Sequence, residues 1–183
     1  MTSGIRCYGS SLWYVAAAMR SYDPAYWQPF FTALISAAAA LTGLLFVAVS
    51  INLDKILKGS RFLPTRAAQT LAILLLVVIS SAVALVPQDT RLIGIEVLIL
   101  AVPTLVITVV TQLRQRRNSR GDPVLWTVTW MVSTAVATVP ASVAGISLAT
   151  RGGGGFYWLA AAALLGIVGA VYGAWVLLVE IVR

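Results

Sequence analysis

QPFFTALISAAAALTGLLFVAVSINL, residues Gln28 to Leu53, contains no charged residue. A helix rises about 1.5 Å per residue and a bilayer core is about 30 Å thick, so roughly 20 apolar residues suffice to cross it. This run is long enough. A soluble core helix rarely stays apolar on every face over such a length. The stretch therefore reads as a transmembrane helix. It is also patterned. Thr32, Ser36, Ala39, Gly43 and Ser50 recur at spacings of four, three, four and seven and fall near one helix face.

The rest of the chain agrees with that reading. Of its 183 residues, 60% are hydrophobic and 10% charged, against about 25% charged in an ordinary soluble domain. Such a composition cannot cover a globule with polar surface, whereas lipid accepts apolar side chains on the outside. The expected fold is all-α, a polytopic transmembrane helical bundle. Five spans are expected, at about 28–53, 67–86, 92–113, 124–149 and 157–182, in a single membrane domain over residues 28–183. Residues 1–27 are read as a tail. The short run Leu12–Met19 is too short to span, and three readings stay open for it: an interfacial segment, a weak signal core, or a start placed too early. Asp23-Pro24 is a helix-start signal, since Asp caps and Pro suits the first helical position. Asp122-Pro123 repeats it before the fourth span.

Orientation follows from the basic residues. Lys55, Lys58, Arg61 and Arg66 lie in the first loop, and Arg114, Arg116, Arg117 and Arg120 in the third. The second and fourth loops hold only Arg91 and Arg151. The positive-inside rule puts the first and third loops in the cytoplasm, the amino terminus outside and the carboxyl terminus inside. The expected location is a bacterial plasma (inner) membrane, multi-pass. Trp126 and Trp130 at one interface, and Tyr22, Tyr26, Trp27 and the group Phe156–Trp158 at the other, fit aromatic belts. The net charge of +7 is accounted for by a basic rim on an anionic cytoplasmic leaflet and needs no nucleic acid.

Intramembrane charges and broken helices are the usual pointers to function. Glu96 stands about one turn into the third span, able to snorkel, pair with Arg91, or stay protonated. Glu180 is spaced to pair with Arg183 at an interface. Pro103 and Pro140 lie mid-helix, each removing a backbone hydrogen bond. Thr134, Thr138 and Ser142 stand ready to satisfy backbone groups freed near Pro140. Asn52 and Asp54 end the first span. Small residues are the clearest pattern: Ser133, Ala137, Ala141, Gly145 and Ala149 in the fourth span, and Ala162, Gly166, Ala170 and Ala174 with Gly169 and Gly173 in the fifth. Such seams let helix backbones approach closely. Packing of span four on span five across the glycine run Gly152–Gly155 is their simplest use. The face of span one carrying Thr32, Ser36, Gly43 and Ser50 has two possible uses, inside the bundle or against another copy.

Enzyme classes fall by absence. The sequence has no histidine, so neither an H-E-x-x-H zinc helix nor a histidine-activated serine can be built. Haem or quinone sites with histidine ligands fall with them. A single cysteine, Cys7, excludes an intramolecular disulfide. No phosphate loop or dinucleotide fingerprint is present. No cofactor, no metal and no enzymatic activity are expected.

Trp27-Gln28-Pro29-Phe30-Phe31, followed by AAAALTGLLFVAVSINLDKIL from Ala37 to Leu57, resembles the first-span signature of a family of small actinobacterial membrane proteins. Some members carry the label "modulator of FtsH protease", a membrane-anchored AAA protease. The resemblance covers about the first third of the chain. It implies a protein that acts by contact, with a membrane protease or its substrates as partner, and it supplies no catalytic residues. The residues themselves leave a second possibility: a homo-oligomeric channel or small transporter, lined by Thr32, Ser36, Gly43 and Ser50, with Asn52 and Asp54 at its end and Glu96 as an ion or proton site.

Overall fold

Asp23 caps the first helix among the described residues. Its carboxylate accepts a hydrogen bond from the Ala25 N–H at 3.0 Å, and Pro24 follows as the first helical residue. The cap expected from Asp23-Pro24 is present, and the helix begins inside the stretch read as tail. The computed structural model describes residues 21–58, 63–118 and 124–182. Cys7, the run Leu12–Met19, Arg61, Arg120, the Asp122-Pro123 pair and Arg183 lie outside the described residues, as do the side chains of Trp126, Trp130, Ser133 and Glu180.

Among the described residues all regular structure is helical: α1 Pro24–Ile51, α2 Leu53–Lys58, α3 Leu63–Leu85, α4 Thr90–Asn118, α5 Val124–Thr150 and α6 Gly155–Val182. Four stretches, Pro24–Ile51, Leu63–Leu85, Thr90–Arg114 and Gly155–Leu177, are long and apolar enough to cross a membrane. Helix α5 is 27 residues long and carries no charge.

Helices α3, α4, α5 and α6 close into a ring in which α3 touches α4, α4 touches α5, α5 touches α6 and α6 returns to α3. The α4–α5 contact is the most extensive. Helix α1 lies outside this ring, mainly against α3. The end of the bundle formed by residues 86–89 and 151–154 is called upper here, and the end bearing α2 lower.

Close approach explains the α4–α5 pair. A Cβ on Gly94 would lie 2.4 Å from the Ala149 backbone nitrogen and 2.8 Å from the Gly145 carbonyl oxygen. A Cβ on Gly145 would meet Leu98 at 2.6 Å. The two helices touch through backbone, and only glycine permits that. The four-residue seam of α5 thus does not lie wholly against the last span. Each step of four residues advances about 40° around a helix of 3.6 residues per turn. Ala137 lies beside Gly166 of α6, Ala141 packs with Leu76, Ala101 and Ala162, and Gly145 has turned to α4. Gly166 sits equally close on α3, where a Cβ would meet Val77 at 2.8 Å.

The glycine run is pinned at several points rather than free. Gly153, Gly154 and Gly155 all have positive φ, as does Arg151 at 54°, a conformation that glycine adopts without strain. The Tyr22 hydroxyl accepts from the Gly154 N–H at 3.0 Å, the Ser147 hydroxyl accepts from the Gly155 N–H at 2.9 Å, and it donates to the Gly152 carbonyl. The Phe156 N–H reaches the Ser21 carbonyl at 3.1 Å. The chain ahead of α1 is therefore stitched to the start of α6. Two aromatic groups that read separately in the sequence meet here. Trp27 packs edge-on against Tyr157 with centroids 4.7 Å apart, and Phe31, fully buried, lies 5.8 Å from Phe156.

At the lower end Asn52 closes α1. Its backbone N–H and its Nδ2 both donate to the Ala48 carbonyl, at 3.3 and 2.9 Å. The chain resumes at once as α2. Ile56 and Leu63 are buried there with Ala67 and Leu177.

Candidate functional site

Thr32, Ser36, Gly43 and Ser50 are all exposed, on the side of α1 turned away from the bundle. Packing of this face within the same bundle is overturned: a Cβ on Gly43 would meet nothing within 4 Å. The three hydroxyls are not free donors. Thr32 donates to the Gln28 carbonyl at 2.8 Å, Ser36 to Thr32 at 3.1 Å and Ser50 to Phe46 at 2.8 Å. Each hydroxyl satisfies its proton on its own helix, as one facing lipid must. Asn52 is spent on its cap, and Asp54 is exposed on α2.

Glu96 is half-buried near the upper end and accepts a hydrogen bond from Gln88 Nε2 at 2.6 Å. Its partner is thus an amide in the short α3–α4 connection. Asp89 and Arg151 pair at 2.5 Å across the same end, both about half exposed. The hydrogen bond from Arg151 holds the Asp89 carboxyl below the usual carboxylate range, helped by the Arg91 N–H.

Pro103 is exposed and Pro140 half-buried, and neither breaks its helix. Hydroxyls bond back along the chain around both: Thr104 to Leu100 at 2.7 Å, Thr138 to Thr134 at 2.8 Å and Ser142 to Thr138 at 3.0 Å. Gly169 is half-buried and Gly173 buried in α6.

The ring also holds polar groups absent from the expected set. Gln112 Nε2 donates to Thr134 Oγ1 at 3.0 Å, a buried link between α4 and α5. Gln69 of α3 is 9% exposed. Their signal was an amide within an otherwise apolar span. Gly94 was legible only as a lone glycine in a span otherwise rich in branched residues. Among the described residues, no three His, Cys, Asp or Glu side chains gather as metal ligands.

A groove of about 370 Å³ opens between α1 and α6. Leu41, Leu45 and Val49 form one wall, Ala170, Ala174 and Trp175 the other, Leu74 of α3 the floor, and Ile56 of α2 the lower end. Above it the rings of Trp27, Phe31, Phe156 and Tyr157 hold α1 to α6. The sequence carries no periodic signal for such a groove, because it arises between helices.

The chain matches no protein-family model, no curated protein and no solved structure.

Proposed function

We propose that the chain is a five-span protein of a bacterial plasma membrane that acts by contact with another membrane complex, as an interaction or modulator protein. The fifth crossing is α5, uncharged over 27 residues and packed between α4 and α6. The basic lower loops lie in the cytoplasm and the upper end outside, by the positive-inside rule. The observation that carries the reading is the position of α1. It is bound to the bundle along one side, and the small residues on its other side leave a surface that a partner helix can approach closely. The described interior offers packing and the buried Gln112–Thr134 hydrogen bond, with no set of groups suited to catalysis. A membrane-anchored protease is the partner class that the first-span resemblance suggests.

The test is the native mass of the protein extracted gently with its neighbours retained. One copy carrying a different membrane protein supports the reading and identifies the partner. A closed ring of identical copies overturns it in favour of a channel lined by Thr32, Ser36, Gly43 and Ser50, and ion flux through liposomes then becomes the decisive assay. A reporter fused after Arg183 checks the orientation, with activity expected only on the cytoplasmic side.

A further inference from the structure

The groove between α1 and α6 has walls of one chemical kind and a charged lower lip. Its lining side chains are apolar apart from the Trp175 indole N–H, with Leu74 as floor. Its rims are open to the side: Leu44 is 69% exposed and Trp175 61%. In a bilayer that side is hydrocarbon, so what enters is an acyl chain rather than water. A volume of about 370 Å³ lies within the range of small-ligand sites, roughly 300–1,000 Å³. Ile56 seals the lower end, buried against Leu63 and Leu177. Its neighbour in the chain, Lys55, is exposed beside that seal. From Asp54 to Arg66 the sequence holds four basic residues and one acidic. Trp175, on the rim nearest that end, has the amphipathic ring that favours the headgroup level.

We infer that the groove retains one phospholipid of the adjoining leaflet, with an acyl chain between α1 and α6 and an anionic headgroup at Lys55. The inference rests on the membrane-spanning reading but not on its orientation, since either leaflet supplies such a lipid.

The full chain is placed in nanodiscs of equal parts phosphatidylglycerol and phosphatidylcholine with identical acyl chains, released into detergent and weighed by native mass spectrometry. One retained lipid per chain is expected, with phosphatidylglycerol favoured about fivefold, the factor one lysine near an anionic headgroup supplies. Lys55→Gln, on an exposed residue, is expected to keep the lipid and lose the preference. Ala174→Phe, which fills the groove, is expected to lose the lipid. No retained lipid, equal retention of the two headgroups, or retention unchanged by Ala174→Phe overturns the inference. So does a two-copy mass without lipid, which would make a second chain the occupant. Carbonate-washed membranes separate the two levels: a chain released by the wash refutes the membrane reading itself, whereas a chain that stays but carries no lipid refutes only the groove.

Discussion

Helices α3 and α1 are equally apolar, yet half of the most apolar stretch of α3 is buried inside the protein and only 17% of that of α1. Apolar content fixes that a helix belongs in a membrane. It says nothing about which neighbours the helix takes, because lipid is as apolar as leucine. What separates the two is steric and topological. Helix α3 presents Ile73 and Val77 to Gly166 of α6 and contacts α1, α4 and α6. Helix α1 fixes itself by rings at its upper end and by leucines along one side, leaving Thr32, Ser36, Gly43 and Ser50 outside. A small-residue face is therefore not by itself an intramolecular packing face, and glycines in the two settings should respond to mutation in opposite ways.

The sharpest way to break that contrast is a pair of identical substitutions. Gly94→Leu puts a side chain where even a Cβ stands 2.4 Å from the Ala149 nitrogen. Backbone cannot yield as a flexible side chain does, so a loss of about 3 kcal/mol or more is expected. Gly43→Leu, into space with nothing within 4 Å, should leave stability within about 0.5 kcal/mol. Thermal unfolding in detergent, followed by size-exclusion chromatography, reads both. Equal melting temperatures for the two variants would mean that α4 and α5 do not meet at Gly94. A Gly43→Leu variant that folds normally but loses its partner would sharpen the contrast, since that face would then serve only association.

A second comparison sets the upper attachment of α1 against the rest of its length. Phe31 is fully buried and contacts Trp27, Phe30 and Phe156. Phe31→Ala should cost about 3 kcal/mol, the low end for truncating a buried aromatic residue. Protease cutting after α1 should speed up with it. Phe46→Ala, on a side chain 63% exposed, should do neither. Within the ring, Gln112→Leu removes the hydrogen bond to Thr134. Interhelical hydrogen bonds in membranes average about 0.6 kcal/mol, so a shift smaller than that of Phe31→Ala is expected, and a double-mutant cycle with Thr134→Val isolates it.

The layout was legible in the sequence because hydropathy, the Asp23-Pro24 cap and short connections act locally. All-helical structure, the start at Asp23-Pro24 and the positions of α3, α4 and α6 follow from such signals, with ends displaced by a few residues. Helix α2 was not legible. It exists because Ile56 and Leu63 find Leu177 at the far end of the chain. The seam on α5 was visible, but its partner was not, since a four-residue repeat turns around the helix and serves α6, the core and α4 in succession. The face of α1 was the most regular pattern, and the structure turns it outward. The groove had no signal of its own, being a space between helices distant in the chain.

The smallest effect belongs to the upper end, where charge rather than shape is at stake. Asp89 and Arg151 join the α3–α4 connection to the α5–α6 turn, on side chains 51% and 53% exposed. Because the Arg151 hydrogen bond lowers the folded-state value for Asp89, the unfolded chain takes up a proton first as pH falls. The pair's contribution is therefore fully present above the ordinary aspartate range, shrinks as pH falls below it, and is gone once the folded carboxylate is itself protonated. Solvent screens a pair this exposed, so the contribution is small and weakens with salt. Asp89→Asn should melt slightly below the wild type at neutral pH and low salt, and at the same temperature in strong acid. A gap that persists in acid would assign the effect to the backbone turn at Asp89, whose carboxylate also accepts from the Arg91 N–H at 3.5 Å. In that case the upper end would be held, like the α4–α5 contact, by backbone geometry rather than by charge.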